Sequence, residues 1–138
     1  MIMQIRVDIK LEVKDFDPKV KMSLNDVEFY NGVAKEHITH TGMAQWGLKK
    51  FENRLIVERY GKDYRRDQTA DKDQAVIIKD IKINGLRFPF ITTHGIFETE
   101  TGERFKTNYL GHNGKYVFVF GYPVETWIAN HMYKDTNM

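Results

Sequence analysis

Apolar and polar residues alternate along several stretches of the chain, and this alternation constrains the fold more than any other feature. The odd positions from 1 to 13 are all apolar, and the even positions from 4 to 12 are all polar. A period of two places successive side chains on opposite faces of a β-strand, so that one face enters a core and the other meets water. The same rhythm returns after a turn, at Val20, Met22 and Leu24. The sequence therefore predicts long strands that are each buried on one side.

A later strand, from Lys115 to Phe120, is apolar on both of its faces. A strand of this kind lies centrally in a sheet, between two layers. Together with many Gly-based turns, about eight strands at spacings of roughly ten to fifteen residues favour an all-β fold. We predict an antiparallel, jelly-roll-like β-sandwich that forms a single domain over residues 1–138.

Turn and helix signals refine this prediction. Asn31-Gly32 and Asn84-Gly85 are each expected to end a strand, because Asn-Gly favours tight hairpin turns. The segment from Pro123 to Tyr133 fits both a helical and a strand period. We expect a strand at its start and a helical turn at its end, and so at most one short helix near the C-terminus.

Composition excludes several classes of function. The chain has no cysteine, so disulfides, thiolate metal sites and cysteine nucleophiles are absent. Its 21 basic and 19 acidic residues are interleaved, whereas nucleic-acid binders carry a clustered basic face. The first ten residues do not resemble a signal peptide, and no window is apolar enough to span a membrane. We expect neither nucleic acid nor membrane as a partner.

No catalytic residues are predicted, and metal chemistry has one candidate location. The chain lacks a Gly-x-Ser-x-Gly motif, a paired histidine motif and a metal cluster, so we expect no enzymatic activity. His37 and His40 have no third ligand nearby and are interpreted as loop or strand-edge histidines. The polar loop over residues 61–73 holds four aspartates. Because Ca²⁺ takes hard oxygen ligands on loops, the candidate calcium ligands are Asp67, Asp71 and Asp73. A solvated loop of mixed charge is the alternative, and no other cofactor is predicted.

Saccharide recognition needs an aromatic platform beside polar groups that pair with hydroxyls, and the chain has such residues near its predicted turns. Tyrosines in these positions also serve as core lids or as anchors of protein interfaces, so both interpretations stay open. The candidate glycan-binding residues are Trp46, Tyr60, Tyr64, Tyr109, His112 and Asn113.

Two parts of the chain carry a family resemblance. The first comprises RYGK (59–62), DQT (67–69), DKD (71–73) and AVIIKDIKING (75–85). The second is YLGHNG (109–114), followed by an aromatic strand, Pro123 and Trp127. In this order they resemble β-sandwich proteins of tailed bacteriophages, which are themselves similar to carbohydrate-binding modules. The resemblance covers about residues 53–128.

The resemblance implies a phage context and a jelly-roll-like fold. Our leading hypothesis is a non-catalytic virion structural or decoration protein, made in the host cytoplasm, that binds neighbouring capsid or tail proteins and forms a homo-oligomer. The alternative is a carbohydrate-binding module that recognises host surface glycans. A third hypothesis is an intracellular phage enzyme or an inhibitor of host defence.

Overall fold

The computed structural model describes residues 5–13, 18–42, 52–61, 75–88 and 91–136, with side chains up to residue 130. These residues form two antiparallel sheets and one helix. The elements are β1 (Ile5–Val13), β2 (Lys19–Leu24), β3 (Val27–Val33), β4 (His37–Gly42), β5 (Asn53–Tyr60), β6 (Val76–Ile83), β7 (Leu86–Arg87), β8 (Ile96–Thr99), β9 (Arg104–Lys106), β10 (Tyr109–Leu110), β11 (Gly114–Phe120) and α1 (Val124–Thr136).

The two sheets have different strand orders. In the five-stranded sheet β6 pairs with β1, and β1 pairs with the edge strand β4. The two short strands β7 and β10 share the other side of β6. The six-stranded sheet runs β3-β2-β5-β11-β8-β9. The prediction of an antiparallel β-sandwich with one short C-terminal helix is confirmed, and the histidines of β4 lie on an edge strand as expected.

The core lies between the sheets and follows the alternation of the sequence. In β1 every second residue from Ile5 to Leu11 is buried. In β11 the side chains of Tyr116, Phe118 and Phe120 are fully buried, while the valines on the other face are half-buried. Each large apolar side chain removed from water stabilises the fold by about 1.5–3 kcal/mol. Burial of the alternating apolar side chains therefore holds the two sheets face to face.

Two tight turns are built by residues that tolerate a positive φ. Asn25 and Asp26 join β2 to β3 with φ values of 49° and 67°, and Asn84 and Gly85 join β6 to β7 with 51° and 82°. The turn at Asn84-Gly85 lies where the sequence predicts it. Asn31-Gly32 does not end a strand, contrary to expectation, because the turn at Asn25 sets a register in which both residues pair with β2.

The C-terminal segment corrects a second expectation. Residues 124–136 form a helix from the first residue, with no initial strand. The Trp127 amide donates to the Pro123 carbonyl at 3.1 Å, which starts the helical bonding. Trp127 then packs edge-on against Phe88 and Phe118, with ring centroids 5.6 and 5.9 Å apart. The packing of this half-buried ring decides between the helical and the strand period, both of which the sequence allowed. Within the described residues, no helix has the length and apolarity needed to span a membrane.

The connectivity gives the sandwich two distinct ends. At one end, here called the loop end, β5, β8 and β10 finish while β6 and β11 begin. At the other, the far end, β4 and β11 finish and β5 begins. Helix α1 follows β11 and so packs toward the far end. The helix and the loop end therefore lie at opposite ends of the sandwich.

Candidate functional site

A cleft of about 640 Å³ lies where the chain crosses from β9, at the edge of one sheet, to β10, at the edge of the other. The crossing is short, because only Thr107 and Asn108 separate the two strands. Its lining combines aromatic rings, cations and small residues. The lining residues are Phe97, Arg104, Phe105, Lys106, Thr107, Tyr109, Gly111 and His112.

Three aromatic rings form the apolar part of the cleft. Phe97 is buried at its base, with 2% of its surface exposed, whereas Phe105 is 45% exposed and Tyr109 is 37% exposed. Phe105 lies opposite Phe97 in the register of β8 and β9, so both side chains share one face of the sheet. Phe105 stays exposed because β9 is the outermost strand. Exposed aromatic rings in one concave surface are what a stacking platform requires.

Backbone contacts place Tyr109 at the edge of the cleft. β10 pairs Tyr109 with Ile77, and the Tyr109 amide donates to the Thr107 hydroxyl at 3.1 Å. A Cβ atom on Gly111 would lie 2.9 Å from Cε1 of Tyr109, so the ring rests directly on the glycine backbone. Glycine at position 111 therefore leaves the space that the ring occupies.

A smaller cavity of about 300 Å³ adjoins the cleft and shares His112 with it. The β8–β9 turn supplies hydroxyl and carboxylate groups: the Thr101 hydroxyl donates to Oε1 of Glu103 at 3.1 Å, and the Glu103 amide donates to the Thr99 hydroxyl at 3.1 Å. The Glu100 amide donates to the Asn113 carbonyl at 3.1 Å, which ties this turn to the start of β11. His112 thus lies between aromatic rings and oxygen acceptors, the two kinds of group that a sugar ring contacts.

The structure brings three of the predicted glycan-binding residues together and separates a fourth. Tyr109 and His112 line the cleft, and His112 and Asn113 line the smaller cavity, where Asn113 is 8% exposed. Tyr60 also lies at the loop end, but on the outer face of the six-stranded sheet, where its hydroxyl donates to Oδ1 of Asn31. Tyr60 is not part of the cleft lining.

The remaining predicted residues lie outside the described residues: Trp46, Tyr64, Asp67, Asp71 and Asp73. The described residues on either side of the aspartates, Gly61 and Ala75, adjoin the strand ends at the loop end. Those on either side of Trp46, Gly42 and Glu52, adjoin strand ends at the far end. Within the described ranges, no group of three or more acidic or histidine side chains could hold a metal ion. The calcium site stays a prediction.

Phe105 belongs to the cleft although the sequence did not single it out. It sits between Arg104 and Lys106 in a strand of three residues. The alternation of charged and aromatic residues is the available signal, but a phenylalanine in such a pattern normally points into a core. Only the edge position of β9 leaves its ring exposed.

Comparison with known proteins supports the fold. No protein-family profile matches the chain, and no curated protein matches it. Among solved structures, the chain is similar to vCBM60, a carbohydrate-binding module solved in complex with galactobiose, with a TM-score of 0.55 and 10% sequence identity. The match covers 82% of this chain and 96% of the module. The chain therefore has a β-sandwich like that of a carbohydrate-binding module.

Proposed function

We propose that this protein is a non-catalytic carbohydrate-binding module, in a single domain over residues 1–138, that holds a saccharide in the cleft beside β9 and β10. The observation that carries the proposal is the exposure of two aromatic side chains, Phe105 and Tyr109, in one cleft. Aromatic rings stack on the apolar faces of sugar rings, and exposing them to water without a ligand is unfavourable.

Polar groups at the cleft rim complement the rings. His112 offers ring nitrogens, Thr107 offers a hydroxyl, and Glu103 and Thr101 line the adjoining cavity. These groups match the donors and acceptors of sugar hydroxyls, which need a partner once water is displaced. The fold shared with vCBM60 supports the same class of ligand.

A glycan array followed by calorimetric titration tests the proposal, with galactobiose among the first ligands. Phe105→Ala and Tyr109→Ala should each weaken binding of the best glycan about fivefold or more, since one stacked ring contributes on the order of 1 kcal/mol. Val33→Ala is the matched control, because Val33 is exposed to a similar degree but lies outside the cleft. Equal losses in all three variants, or no glycan bound at millimolar concentration, would contradict the proposal.

The virion structural role, the virion location and the virion protein partners remain predictions from the family resemblance. A mass-spectrometric inventory of washed phage particles tests them directly. Absence of the chain from particles, in cells that contain it in abundance, would count against that role and leave the saccharide proposal unaffected.

A further inference from the structure

A second concave surface crosses the outer face of the five-stranded sheet. It is a groove of about 580 Å³ that spans β4, β1, β6 and β7. Its lining is dominated by charged side chains, in contrast to the aromatic cleft. These side chains are Arg6, Asp8, Lys10, Asp80, Lys82 and Arg87.

The strand register explains why these charges meet. Asp8 lies opposite Thr39 on one side and Lys82 on the other, and Lys82 lies opposite Arg87. Lys10 lies opposite Asp80. On β1 and β6 these side chains point away from the core, because Val7, Ile9 and Ile81 beside them are buried. Arg87 joins them through its ion pair with Asp80. The groove is therefore a fixed array of charges on rigid backbone.

The two carboxylates of the groove already have partners. Asp8 accepts from Nε of Arg6 at 3.2 Å and from the Thr39 hydroxyl at 2.7 Å, and Asp80 pairs with Nε of Arg87 at 2.9 Å. Across the described part of the chain, neither Lys10 nor Lys82 makes an ion pair. The four cations and two carboxylates give an excess of two positive charges, which equals the formal net charge of +2 of the whole chain.

We propose that this groove binds an acidic polysaccharide. The carboxylates of such a polymer would pair with Lys10 and Lys82. These lysines are diagonal neighbours on adjacent strands, with Cα atoms about 7–8 Å apart. The hydroxyls of the same polymer would donate to Asp8 and Asp80, whose oxygens retain acceptor capacity. A DNA backbone matches the groove less well, because it carries an anion at every unit and lacks the hydroxyls that could donate to the two carboxylates.

The inference rests on the proposed function only for the class of ligand, since the groove and the cleft share no lining residue. The cleft presents stacking rings and selects by sugar shape. The groove presents charge and selects by acidity. A module with both surfaces could hold an acidic polymer through one and a terminal or branching sugar through the other.

Binding of polygalacturonate, compared with the same polymer after complete methyl esterification, tests the proposal. The two polymers share a backbone and differ in charge. The intact protein should bind the acidic form, bind it less tightly as salt is raised, and bind the esterified form weakly. Lys10→Gln with Lys82→Gln should lower affinity for the acidic form about five- to tenfold, as expected for two exposed charge contacts.

Two controls separate this proposal from its alternatives. Lys35→Gln with Lys115→Gln removes the same charge from exposed positions outside the groove and should change affinity less than about twofold. Lys10→Gln with Lys82→Gln should also leave affinity for the neutral glycan selected for the cleft within about twofold, since neither lysine lines the cleft, so that failure of the groove and failure of the cleft are distinguished. Equal losses in the two lysine pairs, tighter binding of duplex DNA than of polygalacturonate at the same salt, or no binding of the acidic polymer would each overturn the proposal.

Discussion

Gly95 and Gly111 each leave room for a tyrosine ring, with different consequences. A Cβ atom on Gly95 would lie 2.1 Å from the hydroxyl of Tyr116, and one on Gly111 would lie 2.9 Å from the ring of Tyr109. Tyr116 is fully buried and cannot move aside, whereas Tyr109 is partly exposed and can. One glycine therefore protects the core and the other positions a ring of the cleft.

Substituting the two glycines by alanine should separate stability from binding. Gly95→Ala should lower the free energy of unfolding by about 1–3 kcal/mol, because the added methyl group overpacks the core. Gly111→Ala should change stability by less than about 1 kcal/mol but weaken binding of the array-selected glycan about threefold, since it displaces a stacking ring. Urea denaturation and calorimetric titration measure the two effects. A Gly111→Ala protein with unchanged affinity would show that the Tyr109 ring takes no part in binding.

Burial of Tyr116 makes stability depend on alkaline pH. Its hydroxyl donates to the Ile91 carbonyl at 2.7 Å, and burial raises the pKa of Tyr116 well above its usual value. The folded state thus keeps a proton that the unfolded state loses. The stabilisation is complete below the unfolded pKa near 10 and is lost as pH rises above it.

Unfolding experiments between pH 8 and pH 11 should therefore show a fall in stability that is smaller in Tyr116→Phe. At neutral pH the same variant should be less stable by about 1 kcal/mol, because the Ile91 carbonyl loses its donor. If the variant and the native protein lose stability in parallel above pH 10, the contribution of Tyr116 is refuted.

At the level of elements, a pair of asparagines ties the β2–β3 hairpin to the centre of the six-stranded sheet. Asn53 is fully buried; its amide donates to the Phe120 carbonyl at 3.1 Å, and its oxygen accepts from the Asn25 amide at 3.1 Å. Asn25 also accepts from the Arg54 amide at 2.9 Å. The turn that sets the register of β3 is thereby anchored to β5 and β11.

Asn53→Leu should destabilise the protein by about 2–3 kcal/mol, since it removes the hydrogen bonds that a fully buried side chain makes with the Phe120 carbonyl and the Asn25 amide. Arg54→Gln is the control. Its side chain is exposed and, within the described part of the chain, pairs with the exposed Glu52 alone, so its removal should cost less than about 0.5 kcal/mol. Thermal or urea unfolding of both variants decides the matter, and equal stability of the two would contradict the anchoring role.

The strands of full length could be predicted from the sequence, whereas the short edge strands could not. Alternation over many residues identifies β1 or β11, since each side chain repeats the same signal. β9 and β10 have three and two residues, too few for any period to emerge. The helix α1 was assigned wrongly at its start because Val124 fits two periods, and packing of Trp127 on Phe88 settles which one forms.

The candidate site was predictable to the same limited extent. Tyr109, His112 and Asn113 were identified by residue type, and the structure brings them to adjoining cavities. Phe105 was not identified, because an exposed phenylalanine and a buried one look alike in a sequence. Whether a ring is exposed depends on which strand lies at the edge of the sheet, and the topology determines that position.

For the molecule as a whole, the helix and the cleft occupy different parts of the sandwich. Trp127→Ala removes a ring that contacts Phe88, Phe118 and His94. It should lower the free energy of unfolding by about 2–4 kcal/mol while leaving glycan affinity within about twofold at temperatures where the variant is folded. A large loss of affinity in the folded variant would indicate that the site includes the helix.

The central claim is that the cleft formed by Phe97, Phe105, Tyr109 and His112 is where a saccharide binds. The most direct measurement is a titration of the isotope-labelled protein with the glycan selected from the array, followed by two-dimensional NMR. The account predicts that the largest changes in amide chemical shift belong to residues 97–113, around β9 and β10. Changes confined to the groove on the five-stranded sheet or to the far end, with residues 104–112 unaffected, would contradict it.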